Sequence, residues 1–269
     1  MNAVSDVIAS RELLWNLTLR ELRTKYRRSF LGWSWSLLNP LTTVALYGFV
    51  FGVLFKAGAP VGENSGLTSF VFFLLCALIP WNFFSMIVLT SMGAMASNPG
   101  LVRRVAFQRE VLVFANVGHA VVQFGIELAI LVGVLLIAGS PLLPFVPVVL
   151  GVTVFLAMFG AGIGLALSVL TVYFKDLTYL WGILMQVWFF LTPVVYAPQL
   201  LEDTLPGWAQ QIPMANAMQH FTTAYRDALY HARLPDLTTS VMVVVAGVLT
   251  LGGGWTVFSR LQRRLPEEV

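Results

Sequence analysis

The chain has 269 residues, 58% of them hydrophobic and only 11% charged. That balance excludes an ordinary soluble domain, and the single cysteine, Cys76, excludes an internal disulfide or a cysteine-built metal cluster. The formal net charge of +3 is small, so what matters is where the positive residues fall.

Residues 6–30 come first, polar and acid-bearing at the start, and no cleaved leader is expected there. Ile8, Trp15, Leu19, Leu22 and Tyr26 recur at helical spacing, with Asn16, Arg20, Arg23 and Arg27 to one side, while Leu13 and Leu17 fall off the stripe. The pattern predicts an N-terminal amphipathic helix lying in the inner membrane interface. Six apolar runs follow, over 35–55, 69–92, 113–138, 142–174, 177–196 and 240–258. Each is near or above the roughly 20 residues a helix needs to cross a hydrocarbon core. They are apolar on every face, so they predict helices rather than the alternating strands of a barrel.

Between the second and third runs, residues 97–110 open with Asn98-Pro99-Gly100 and continue as a short, charged, helix-compatible stretch. The third run carries Asn116, His119, Gln123 and Glu127 on one face. A carboxyl at that depth is costly, so Glu127 is expected to face the bundle interior with His119 or, nearer, Gln123 as partner. Hydrogen-bond glue and a proton relay are the two readings of that face. The pairs Gly48/Gly52 and Gly160/Gly164 permit close helix contact, within the chain or between copies. The longest connection, 197–239, holds Met218, Phe221, Tyr225 and Leu229 at three- and four-residue spacing, and prolines interrupt it. It predicts re-entrant or interfacial helices at the outer face, between spans five and six.

Numbering the runs assigns their connections alternately to two sides. One side collects Arg11, Arg20, Arg23, Lys25, Arg27, Arg28, Arg103, Arg104, Arg109, Lys175, Arg260, Arg263 and Arg264; the other holds only Lys56, Arg226 and Arg233. The positive-inside bias makes the rich side cytoplasmic. The expected fold is an all-α integral membrane protein, one permease domain over 1–269, with six transmembrane helices and both termini cytoplasmic.

The lysines, Lys25, Lys56 and Lys175, never follow a glycine, so no phosphate loop can be drawn. Nor is there a nucleophile elbow, a His-Glu-x-x-His or a paired-carboxylate cluster. No catalytic residue, metal, cofactor or nucleic-acid partner is expected of this chain, and any ATP and Mg belong on a separate ATPase.

Several blocks then match one family. The run Arg23-Thr24-Lys25-Tyr26-Arg27-Arg28-Ser29-Phe30-Leu31-Gly32-Trp33 through Asn39-Pro40 resembles the start of the first span in ABC-2 type permeases. Those proteins export O-antigen, teichoic acid and related polysaccharides. Pro80-Trp81-Asn82-Phe83-Phe84 and Asn98-Pro99-Gly100-Leu101-Val102-Arg103-Arg104-Val105-Ala106-Phe107 are similar to the second span and coupling loop. Val172-Tyr173-Phe174-Lys175-Asp176-Leu177, Thr192-Pro193-Val194-Val195-Tyr196, and Pro213 with Tyr225-Arg226-Asp227 resemble later blocks in the same order. Gln108 departs from the proline frequent after the Phe, and Ile212 from the Asn frequent before Pro213.

The resemblance implies a homodimer carrying two copies of a cytoplasmic ABC ATPase, in a bacterial plasma membrane. It implies ATPase coupling through Leu101, Val102, Arg103, Arg104, Val105, Phe107, Lys175 and Asp176. Lys25, Arg27 and Arg28 are the candidates for a lipid-diphosphate head group, since Arg grips phosphate bidentately. Tyr47, Phe51 and Phe55, with Trp181, Trp188, Phe189 and Tyr196, are candidate channel-lining aromatics that could stack on sugar rings. Pro213, Tyr225 and Arg226 are the candidate external gate. The cargo expected is a polyprenyl-diphosphate-linked polysaccharide. A small-molecule exporter, or an intramembrane enzyme acting on a lipid diphosphate, are the alternatives.

Overall fold

Backbone polar groups that enter lipid must bond within their own segment, and the apolar runs meet that demand with helices. The computed structural model describes residues 11–26, 38, 41–42, 45–54, 58–102, 108–197 and 216–262. Among the described residues every regular element is helical. In order these are α1 (Arg11–Tyr26), an apolar stretch Ala45–Leu54 that is π-helical over Gly48–Leu54, α2 (Phe70–Met92) and α3 (Pro99–Val102). Then come α4 (Glu110–Ile137), a 3₁₀ turn (Leu143–Phe145), α5 (Val146–Tyr173), α6 (Leu177–Leu191), α7 (Ala217–Leu229) and α8 (Leu237–Leu261).

Four of these are long and apolar enough to cross a membrane: α2, α4, α5 with its leading turn, and α8. They coincide with the second, third, fourth and sixth apolar runs. Of the first run, residues 38, 41–42 and 45–54 are described, and Ala45–Leu54 is an apolar helix too short to cross a membrane by itself. The fifth does not form the single helix expected over 177–196. Its helix, α6, ends at Leu191, and Thr192 turns to extended backbone. Pro193 is the cause, because its ring disfavours helical backbone at the residue before it. At 15 residues, α6 spans about 22 Å, short of a typical hydrocarbon core.

The central helix is α2. Two-thirds of its most apolar window (67%) is buried in the protein, against 22% for α8, which lies at the periphery. Aromatic pairs hold its neighbours: Phe83 stacks on Phe124 of α4 at 4.4 Å and Phe84 on Phe159 of α5 at 5.2 Å. Such pairs add about 0.5–1.5 kcal/mol beyond area burial.

α5 and α8 make backbone contact. A Cβ at Gly162 would overlap the Thr250 carbonyl group, and one at Gly254 would overlap Gly162. At Gly247 it would lie 2.8 Å from the Phe155 carbonyl oxygen. Gly160 and Gly164 face α2 instead, where an added Cβ would reach Ile87 Cγ2 at 3.0 Å and Ser91 Cβ at 2.7 Å. That glycine pair therefore serves packing within the chain.

Where its side chains are described, α1 meets the protein through residues beside the expected interfacial stripe. Among its described side chains Leu17 and Thr18 are buried, and Trp15 is 59% exposed. The reason is Gly118 on α4, where a Cβ would meet the Thr18 hydroxyl at 2.9 Å. The helix docks through that gap and leaves Trp15 free for an interfacial environment.

Replacing Gly162 with Val is expected to destabilise the fold by about 1–3 kcal/mol or more, since the clash is with backbone that cannot rotate away. Gly252→Ala, where an added Cβ meets nothing, should be tolerated. Thermal unfolding of the two variants in detergent checks the contrast.

Candidate functional site

The C-terminal ends of α2, α5 and α8 meet the N-terminal ends of α4 and α6 at one end of the bundle. This is the end where the sequence collects its positive residues. Polar bonds tie the elements there: Thr171 Oγ1 donates to Met92 O at 2.8 Å and Tyr173 OH to Leu261 O at 3.2 Å. Val102 is fully buried against a small core that includes Met95 and Val111. Arg109 donates from Nε to Val102 O at 3.1 Å and from Nη1 to Gln262 O at 2.9 Å. One guanidinium so links α3 to the C-terminus of α8, where a cation is favoured by the helix dipole. Arg20 of α1 donates to Asn98 Oδ1 at 2.9 Å. Leu101 is half-buried, while Lys175 and Asp176 are exposed on the α5–α6 turn at the same end.

A furrow with polar side chains set among apolar ones runs from this end along the seam between α2 and α4. It consists of two cavities of about 680 and 350 Å3 that adjoin at Thr90. The shallow one is lined by Arg20, Ser97, Asn98, Asn116 and His119, among others. The deeper one is lined by Asn82, Ser85, Gln123 and Glu127, with Phe83 and Phe124. Asn116 Nδ2 donates across the seam to Thr90 O at 3.1 Å. Gln123 Nε2 donates to Glu127 Oε1 at 3.0 Å, a bond along α4 rather than between helices.

The opposite end is organised by α7. Its Met218, Phe221, Tyr225 and Leu229 are completely buried, so the three- and four-residue spacing faces the bundle. Asn216 caps it, accepting from Met218 N at 3.1 Å and from the Trp188 indole at 2.8 Å. Arg226 is only 3% exposed. It donates to the carbonyls of Phe73 (3.3 Å), Val194 (2.7 Å) and Pro193, and its guanidinium carbon lies 3.8 Å above the Phe73 ring. Its charge is met by backbone dipoles just past the C-terminus of α6 and by an aromatic face. A clasp closes this end: the Tyr230 hydroxyl lies 2.9 Å from both Pro60 O and Leu67 O, which share its one proton, and Arg233 pairs with Asp227 at 2.6 Å and with Glu63. Burial, then the Arg233 charge, push the His231 imidazole below its ordinary 6.5. The Thr239 hydroxyl holds the Asp236 carboxyl below the usual carboxylate range.

The profile of the ABC-2 type transporter family matches residues 12–230, most of the chain and every element just described except α8. The chain belongs to the ABC-2 type transporter family. It is 28% identical over 268 residues to the O-antigen export system permease protein RfbA of Myxococcus xanthus, covering 99% of this chain and 98% of the relative. It is 25% identical to the Klebsiella pneumoniae protein of the same description, over 95% and 94% of the two chains. The polysialic acid transport protein KpsM of Escherichia coli matches at 36% over 85 residues, 32% of this chain and 31% of that one.

Within this ABC-2 family member the sequence-derived residues fall into separate places. Leu101, Val102, Lys175 and Asp176 share the positive end. His119, Gln123 and Glu127 line the furrow. Tyr47 and Phe51 stack on each other, with centroids 6.0 Å apart, and Phe51 leans on Phe70. Trp188 turns into the bundle, edge-on to Phe84 and Trp81, and Phe189 also meets Trp81. Trp181 is half-buried, and Tyr196 OH donates to Phe190 O at 2.7 Å. Tyr225 is buried with its hydroxyl 2.7 Å from that of Thr153. Arg27, Arg28, Phe55, Arg103, Arg104, Val105, Phe107 and Pro213 lie outside the described residues, as does the side chain of Lys25. Arg20, Asn98 and Arg109 hold the positive end together yet were not singled out by the sequence, which showed them only as charges and a turn residue.

Removing the Arg226 guanidinium leaves the Pro193 and Val194 carbonyls without their donor. Arg226→Leu is expected to cost about 3 kcal/mol or more, with Arg226→Lys intermediate because it keeps the charge but not the fork; thermal unfolding in detergent measures both. The clasp should also respond to pH. Glu63 N–H donates to His231 Nδ1 at 3.4 Å, and folding favours the neutral ring. Its contribution is therefore intact above pH 6.5 and lost as the pH falls below it. Hydrogen exchange at residues 62–67, corrected for intrinsic rate, should quicken on acidification, and His231→Gln should remove that dependence.

Proposed function

We propose that this chain is the membrane-spanning permease subunit of an ATP-driven exporter. Its cargo is a polyprenyl-diphosphate-linked cell-envelope polysaccharide, carried from the cytoplasm to the outer face of a bacterial plasma membrane. The observation that carries the reading is the near full-length similarity to O-antigen export permeases. The absence of a phosphate-binding loop from the sequence agrees with an ATPase on a separate subunit.

Six spans with both termini cytoplasmic fit the charge bias, α6 and the irregular chain after it together making the fifth. Two copies with two ATPase subunits complete the transporter. The surface of α6 supports the dimer: Met185 is its one buried residue, while Tyr179, Ile183 and Phe190 are exposed by 56% or more. In this reading Trp181, Phe189 and Tyr196, with Tyr47, Phe51 and Phe55, offer aromatic faces to the sliding glycan. Lys25, Arg27 and Arg28 meet the carrier's head group at the inner surface. Residues 101–107 and the Lys175–Asp176 turn receive the ATPase's push, and Arg109 passes it to α8. Pro213, Tyr225 and Arg226 belong to the outer gate. The ligand state of the ATPase shifts the permease only through differing contacts in its two states, which makes the loop the place to test.

Arg103→Glu with Arg104→Glu is expected to abolish copurification of the cognate ATPase and to reduce glycan export at least tenfold. Retained assembly with full export would remove the coupling role. In vesicles, the intact complex should show ATPase stimulation by lipid-linked glycan; stimulation by small amphiphiles alone would favour a small-molecule exporter.

A further inference from the structure

We infer that the furrow between α2 and α4 is a seat for the carrier's head group, with the diphosphate at the Arg20 end and the first sugar at the Glu127 end. The inference rests on the export reading above and adds a site to it.

The furrow differs chemically along its length. Its shallow cavity is lined by a guanidinium, two carboxamides and an imidazole, and no carboxylate is among its described lining residues. Guanidinium N–H groups bind phosphate oxygens by charge-assisted bonds. Its deeper cavity has no cation among its described lining residues; there Asn82, Gln123 and Glu127 surround the Phe83–Phe124 stack. Amides and a carboxyl beside aromatic faces match sugar hydroxyls and the apolar side of a sugar ring. The two ends therefore disfavour the swapped arrangement, since the Glu127 end offers a diphosphate no cation among its described lining residues.

Dimensions agree. From His119 to Glu127 the rise along α4 is about 12 Å, on the scale of a diphosphate plus one sugar ring. The larger cavity, about 680 Å3, lies within the range of small-molecule sites, about 300–1,000 Å3. Intramembrane polar groups that line a cavity mark substrate pathways.

The test uses the complete permease–ATPase complex in lipid nanodiscs, with binding read by native mass spectrometry. Three probes are compared: polyprenyl diphosphate bearing one sugar, bare polyprenyl diphosphate, and inorganic diphosphate. Arg20→Gln is expected to weaken both lipid probes about tenfold, the loss of one charge-assisted contact. Glu127→Gln and the half-buried Asn82→Ala should weaken the sugar-bearing probe and leave the bare carrier unchanged. Two positions are used at the sugar end so that a folding defect in one, seen by loss of ATPase assembly, does not decide the matter. Variants that bind both lipids like the unmodified complex would overturn the seat. So would equal loss of both lipids in Glu127→Gln, or competition by inorganic diphosphate as effective as by the carrier. If the unmodified complex binds neither lipid probe, the export reading itself fails and the seat falls with it.

Discussion

A carbonyl in an apolar solvent needs a donor, and the break after α6 is where this chain meets that rule without a helix to satisfy it. Pro193 ends the helix, so the carbonyls beyond it must bond elsewhere, and Arg226 supplies two of those bonds from a buried guanidinium. A third, to Phe73 on α2, ties the break to the centre of the bundle. Because Arg226 rides on α7, the same side chain fixes α7 as well. The buried cation and the irregular backbone solve each other's solvation problem: either one alone would be expensive at that depth.

The other end uses the same economy of bonds. Arg109 reaches backbone carbonyls on α3 and just past α8, Arg20 reaches Asn98 from α1, and Val102 plugs an apolar hole between them. Both flanks of residues 103–107 are thus anchored to several helices at once. A displacement of either flank is therefore shared among α1, α4 and α8. The proposed coupling role of the loop calls for such anchoring.

How legible all this was depended on whether a feature is local in sequence. Helical spans and the Gln123–Glu127 neighbours follow from hydropathy and four-residue spacing, and these needed no tertiary information. The early end of α6 was marked by Pro193, but the apolar run continues to Tyr196 and hydropathy outweighed the proline. The burial of Arg226 had no sequence signature because its partners are carbonyls, which every residue possesses. The furrow was half visible. Asn116, His119 and Gln123 stood out on α4, while Asn82, Ser85 and Thr90 on α2 were lost among large apolar neighbours, and only packing brings the two faces together. On α1 the hydrophobic stripe pointed to Trp15, whereas docking was decided by Leu17, Thr18 and the small gap at Gly118 on another helix.

The glycines where α5 and α8 touch have a mechanical meaning. With Gly162 lodged against Thr250, and Gly254 against Gly162, neither helix can roll about its own axis without driving backbone into backbone. The pair behaves as a stiff beam, tied to the loop flank through Arg109 at one tip and packed against α7 near the other. A tilt imposed at the tip tied to Arg109 would therefore be carried by both helices together toward the helix that bears Arg226.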